Sequence, residues 1–142
     1  MSRMMEAGQT AAWGTSPDAE AIERLARAAI DRLPAIFREH LDDVVLRIEE
    51  FADEDTLLAL GIEDAFQLSG LYRGRPIGEK SVSDNGALPD MITLYRRALL
   101  DEWIETGETL ENLVSHVLVH EVGHHFGLSD NDMHALEEAA GR

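Results

Sequence analysis

Residues 120–130 read His-Glu-Val-Gly-His-His-Phe-Gly-Leu-Ser-Asp. Within them the pattern H-E-x-x-H sets His120 and His124 four positions apart, and Glu121 directly follows the first histidine. On an α-helix, positions i and i+4 lie on one face, so both imidazoles can bind one metal ion. Glu121 lies about 100° further round the helix, where its carboxylate can hydrogen-bond a water beside that ion. The pattern is typical of two metal ligands and a general base.

The residues after the second histidine supply a candidate for the third ligand. Gly127 is the residue type that ends a helix in the left-handed conformation and reverses the chain. That reversal brings Asp130 back toward the two imidazoles. Catalytic zinc sites use three protein ligands. We therefore predict one Zn²⁺ per chain, held by His120, His124 and Asp130, with Glu121 as the general base.

Other roles compete for the residues near this motif. Asp130 can instead cap the last helix, although Ser129 and Asn131 are alternative caps. His134, Glu137 and Glu138 are the alternative third ligands.

The extended pattern H-E-x-x-H-x-x-G-x-x-D resembles that of the metzincin-type zincins, in which the last position is histidine. Three segments resemble the short bacterial minimal zincins more closely: Leu-Tyr-Arg-Gly at residues 71–74, Leu-Pro-Asp-Met-Ile-Thr-Leu-Tyr-Arg at 88–96 and His-Glu-Val-Gly-His-His-Phe-Gly at 120–127. The resemblance covers most of the chain after residue 16. It implies a zincin-like fold and a metallopeptidase function.

The composition limits the other classes of function. Among 142 residues, 28 are acidic and 12 are lysine or arginine, which gives a formal net charge of −16. Such a charge disfavours nucleic acid and anionic membranes as partners and favours cationic ones. The chain has no cysteine, so any metal must be bound by histidine and carboxylate. No apolar run is typical of a signal peptide or a membrane span, and we expect a cytoplasmic protein.

Periodicity and turn residues predict the order of elements. Helices are expected at residues 16–41, 53–60, 98–105, 108–126 and 131–140, and strands at 44–49, 67–72 and 91–97. The first helix begins with Ser16 as N-cap and is kinked at Pro34. Residues 78–89 form a loop. Residues 1–15 are expected to be a flexible arm before a single domain at 16–142.

These elements predict an α+β fold, in which a small mixed sheet of roughly three or four strands packs on helices. We expect the strand at 91–97 to be an edge strand that borders the cleft and pairs with an extended peptide. We also expect His120 and His124 to continue the buried stripe of Leu113 and Val117.

The function that these observations favour is zinc-dependent hydrolysis of a peptide or an unfolded protein. A metal-binding module without turnover is the main alternative. A metal-dependent endoribonuclease is a third, since some such enzymes carry the spacing H-x-x-x-H-x-x-x-x-x-H. The position of Glu121 and the net charge of −16 argue against RNA as a substrate.

Overall fold

A computed structural model describes residues 14–74 and 89–140 of the chain. The elements are α1 (Ala19–Asp31), α2 (Ala35–Glu39), β1 (Val45–Glu49), α3 (Glu54–Leu60), a 3₁₀ turn (Ala65–Gln67), β2 (Gly70–Arg73), β3 (Met91–Tyr95), α4 (Arg96–Thr106), α5 (Leu110–Phe126) and α6 (Asp130–Ala140). The predicted α+β class is confirmed. The predicted arm at 1–15 and loop at 78–89 fall almost wholly outside the described residues.

The described strands form one mixed sheet in the order β1-β3-β2. β1 runs parallel to β3, with Val45 opposite Met91, and β2 runs antiparallel to it, with Tyr72 opposite Ile92. β3 is therefore paired on both sides, and the prediction that it is an edge strand is wrong. Residues 92–95 are each at most 2% exposed, because helices and loops cover both faces of this central strand. Among the described strands, β2 is the edge strand next to α5.

Local side-chain chemistry sets where the helices begin and end. The Oδ1 of Asp18 accepts from the N–H of Ala21 at 2.8 Å, so Asp18 is the N-cap of α1 in place of the predicted Ser16. Asp53 caps α3 in the same way, and Gly61, with φ of 70°, ends it. β3 passes directly into α4, so residues 96–97 are helical where a strand was predicted.

Helix α5 lies at the centre of the fold and touches α1, α4, α6, β2 and β3. The main core is formed by buried apolar residues of these elements, among them Ile22, Leu94, Leu99, Leu110, Leu118 and Val122. Burial of each large apolar side chain stabilises the fold by about 1.5–3 kcal/mol. A smaller cluster of Ala52, Tyr95 and Ala98 forms separately from this core. No helix in the described part of the chain has the length and apolar character to cross a membrane.

Candidate functional site

Two rows of side chains at i, i+4 spacing run along α5. One row, Asn112, His116, His120 and His124, is exposed, and the neighbouring row, Leu113, Val117, Glu121 and His125, is buried. The expectation that the two histidine ligands continue the buried stripe is therefore wrong. Because residues four apart lie on the same side of a helix, His120 and His124 line up with Asn112 and His116 and not with Leu113 and Val117.

The structure brings His120 and His124 together on the exposed row. Their ring centroids are 5.2 Å apart and the rings are nearly perpendicular, at 81°. His116 stacks on His120 with a centroid distance of 6.3 Å, but its Nδ1 lies 2.6 Å from the Oε1 of Glu137 on α6. His116 is thus engaged with α6, whereas His120 and His124 face solvent as a pair.

Glu121 lies beside this pair on the buried row. The residue is 8% exposed, and its carboxylate accepts a hydrogen bond from the backbone N–H of Tyr72 in β2. Burial raises the pKa of Glu121 to about 7, and the hydrogen bond from Tyr72 opposes part of that shift. Its carboxyl group therefore gains and loses a proton near neutral pH.

A cleft of about 230 Å³ opens over these side chains. It is lined by Gln67, Leu68, Ser69, Gly70, Glu102, His116, Val117, His120 and Glu121. One wall is thus the start of β2 with the turn before it, and the other is α5. A substrate segment placed in this cleft lies against both Glu121 and His120.

The predicted reversal of the chain before Asp130 is present. Gly127 has φ of 68°, and the N–H of Leu128 donates to the carbonyl of Gly123 at 2.9 Å, which closes the end of α5. The Oγ of Ser129 accepts from the N–H of Asp132 at 3.2 Å. Ser129 therefore caps α6, and Asp130 is an exposed residue of its first turn.

The Asp130 carboxylate acts electrostatically on His124. Burial and the neighbouring His120 lower the pKa of His124, and Asp130 acts in the opposite direction. Even so, no three or more His, Asp or Glu side chains among the described residues form a group that could hold a metal ion as they stand. The structure pairs the two histidines and leaves Asp130 outside a closed ligand set.

The chemistry of the donors suits zinc. Two imidazoles and a carboxylate are ligands that zinc accepts, and magnesium and calcium prefer sites built of oxygen alone. A ligating imidazole must be neutral, and the lowered pKa of His124 favours its neutral form. The residues present fit a zinc ion.

Residues 41–140 match the family model described as zincin-like metallopeptidase. The chain belongs to this family. No curated protein matches it. The matched region runs from the residues before β1 to the end of α6, and so contains the sheet, α5 and Asp130.

The residues predicted as alternative third ligands have other contacts. The Nε2 of His134 lies 3.7 Å from the Oε2 of Glu138, both on the exposed side of α6. Glu137 is the partner of His116. Asp130 differs from them because its carboxylate raises the pKa of His124. The ligand set and the role of Glu121 stay predictions.

Sequence reasoning missed two residues of β2. A Cβ atom at Gly70 would lie 2.7 Å from Cγ1 of Val117 and 3.3 Å from Cγ of Glu121, so glycine lets β2 pass directly over α5. Tyr72 donates its N–H to Glu121. A lone glycine in a predicted strand indicates close backbone approach, so the sequence could have indicated the role of Gly70. No local pattern indicates the contact of Tyr72 with Glu121.

Proposed function

We propose that this zincin-like metallopeptidase is a zinc-dependent peptidase in which Glu121 is the general base. The observation that carries the proposal is the position of Glu121. Its carboxylate is buried, lies beside two exposed imidazoles and contacts the strand that borders the cleft. A glutamate that only kept a helix surface soluble would be exposed and would have no contact with this strand.

His120, His124 and Asp130 would hold the zinc ion. When bound, zinc supplies a Lewis acid that polarises the scissile carbonyl and makes an attacking water more acidic. The exposure of both histidines leaves the ion accessible to a substrate in the cleft.

Glu121 would carry the proton through the reaction. Its carboxylate takes a proton from the attacking water as the water oxygen bonds to the scissile carbonyl carbon. The same carboxyl group then gives that proton to the amine nitrogen as the C–N bond breaks. The products are a carboxylic acid and an amine. A pKa of about 7 suits both steps, since a group that must accept and then donate works best near the ambient pH.

The edge strand β2 would bind the substrate backbone. The Tyr95 N–H donates to the Ser69 carbonyl at 2.9 Å, so Ser69 and alternate residues after it pair with β3. The N–H and carbonyl of Gly70 consequently face the outer edge, whereas the N–H of Tyr72 is already donated to Glu121. An extended peptide can pair there through main-chain hydrogen bonds, with little demand on its sequence. We propose peptides or unfolded proteins as substrates, and neither nucleic acid nor membranes as partners.

The test compares wild type with Glu121→Gln at matched zinc content on a panel of unfolded proteins and mixed peptides. The amide cannot accept the proton, so we expect a loss of about 10²- to 10⁴-fold in kcat. His134→Ala, which changes an exposed histidine of α6, is the control and should cleave like wild type. Equal cleavage by wild type and Glu121→Gln would refute the proposal. Zinc binding with no cleavage by either protein would favour the metal-binding module.

A further inference from the structure

A buried polar cluster joins α5 to β2 behind the proposed site. His125 is 3% exposed, and its Nδ1 lies 3.2 Å from the Oδ2 of Asp90 and 3.4 Å from the hydroxyl of Tyr72. The rings of Tyr72 and His125 meet edge to face, with centroids 5.5 Å apart. The three side chains come from α5, from the residue before β3, and from β2.

The chain closes tightly over this cluster. Gly74 follows β2 with φ of 141°, and a Cβ atom there would lie 2.2 Å from Oδ1 of Asp90 and 3.0 Å from the Tyr72 hydroxyl. Both the backbone conformation and the space therefore exclude a side chain at this position. Asp90 is also fixed through its backbone, because its carbonyl accepts from the N–H of Val45 at 2.9 Å.

Such a cluster has a cost in stability. A buried carboxylate and imidazole lose their hydration, and their mutual hydrogen bonds only partly offset that loss. Apolar side chains of similar volume would often stabilise the fold as well or better. Its placement suggests a role besides stability.

Tyr72 contacts α5 at two points, one helical turn apart. Its side chain meets His125, and its backbone N–H donates to Glu121. Glu121 and His125 are four residues apart on the buried row, so both face β2. Two contacts at this spacing fix the strand along the helix axis as well as across it.

We propose that Tyr72, Asp90 and His125 form a polar anchor that positions Glu121 for proton transfer. The anchor holds β2 in one register on α5, so the Tyr72 amide stays at the Glu121 carboxylate. The proposal rests on the proposed function in so far as Glu121 is the base. The three anchor residues are positioning residues, since they act through Glu121.

The first test measures amide hydrogen exchange by NMR and needs no substrate. The Tyr72 amide faces the outer edge of β2 and should exchange slowly because Glu121 accepts from it. Glu121→Ala should raise its exchange rate, and the Leu71 amide, which faces β3, should change little. Tyr72→Phe and Asp90→Asn should raise the Tyr72 rate on the order of tenfold, the effect of weakening one hydrogen bond.

The second test measures steady-state kinetics of the same variants at matched zinc content. Tyr72→Phe and Asp90→Asn should lower kcat by about 10- to 100-fold, because small displacements of a catalytic group have effects of that size. KM and zinc affinity should stay near the wild-type values. Tyr95→Phe is the matched control. It removes a buried hydroxyl from the neighbouring strand that acts on Glu121 only through a weak electrostatic interaction and belongs to the separate cluster with Ala52 and Ala98, so it should change both readouts much less than Tyr72→Phe.

The outcomes separate the two proposals. If Tyr72→Phe, the milder change, folds and keeps both wild-type exchange at residue 72 and wild-type kcat, the anchor is wrong. Faster exchange with unchanged kcat, or the reverse, also overturns it, because the anchor requires both to move together. If wild type cleaves nothing or Glu121→Gln cleaves equally well, the proposed function fails instead, and exchange alone then decides whether the anchor fixes β2.

Discussion

The exposed and buried rows of α5 have the same four-residue spacing but opposite surroundings. On the exposed row His120 and His124 face solvent, where an ion and a substrate can reach them. On the buried row Glu121 and His125 face β2, where the fold fixes them. In the proposed mechanism the two histidines can be exposed because the ion itself would orient them, whereas Glu121, as the general base, is held only by the protein. The helix therefore places accessible groups and rigid groups side by side.

The largest effect should come from breaking the exposed row. His120→Ala should lower zinc affinity about 10²- to 10³-fold, since the roughly 10–16 kcal/mol of a structural zinc site is shared among four ligands. The fold should survive, because the side chain is exposed. Competition titration against a zinc chelator measures the affinity. His116→Ala, one turn earlier on the same row, is the control, and unchanged affinity in His120→Ala would remove this residue from the ligand set.

A comparable loss should follow from Asp130→Ala if Asp130 is the third ligand, and its carboxylate already acts electrostatically on His124. We expect a decrease of the order of 10²-fold in zinc affinity, because each ligand contributes a share of the binding free energy. His134→Ala and Glu138→Ala should bind zinc nearly as well as wild type. If one of them has the larger effect, α6 supplies the third ligand from another turn.

On the buried row, Glu121→Gln should stabilise the metal-free protein at alkaline pH. The pKa of Glu121 rises from 4.5 to about 7 on folding. Below pH 4.5 the carboxyl group is protonated in both the folded and the unfolded protein. Between pH 4.5 and pH 7 it ionises only in the unfolded protein, so the free energy of unfolding falls as the pH rises. Above pH 7 the loss of stability is complete. The variant should gain about 3 kcal/mol at pH 8 and little near pH 4.5.

Urea unfolding of metal-free wild type and Glu121→Gln at both pH values measures this difference. Other titrating groups are common to both proteins and cancel. A gain that does not depend on pH would mean that Glu121 is not the source.

A smaller effect on the buried row should come from Gly70→Ala. The added methyl group would meet Val117 and Glu121, so β2 must move away from α5. We expect a decrease of about 1–3 kcal/mol in the free energy of unfolding, as for other overpacked sites, together with slower peptide cleavage. Gly14→Ala is the control, since a Cβ atom there meets nothing within 4 Å.

Val117→Ala combined with Gly70→Ala tests the steric explanation directly. The smaller side chain makes room for the new methyl group. Recovery of part of the lost stability in the double variant is expected, and strictly additive losses would contradict the explanation.

The sequence predicted those parts of the fold that depend on neighbouring residues. The helix α5, its end at Gly127 and the pairing of His120 with His124 follow from spacing and from glycine's access to the left-handed conformation. The strand order did not follow, because parallel pairing of β1 with β3 joins distant segments. The sequence of β3, Met-Ile-Thr-Leu-Tyr, is largely apolar on both faces. This pattern is typical of a central strand and could have indicated the central position of β3 in the sheet.

The surroundings of Glu121 were the least predictable part of the site. Its partner Tyr72 donates a backbone group, which every residue but proline carries, so no residue type marks it. The burial of His125 against Asp90 likewise depends on how β2 and β3 lie on α5. Chemistry of side chains can be predicted from a motif, whereas burial and backbone contacts require the fold.

The continuity of residues 120–130 has a consequence for how the protein matures. The proposed ligands all lie in one local segment, a helix end and its reversal, whereas Tyr72 lies far upstream and must be brought in by long-range folding. Local contacts form early because little chain entropy is lost in closing them. We expect zinc capture to precede catalytic competence during refolding. Stopped-flow refolding with a zinc indicator and a fluorogenic peptide should show two phases, metal uptake first and turnover second.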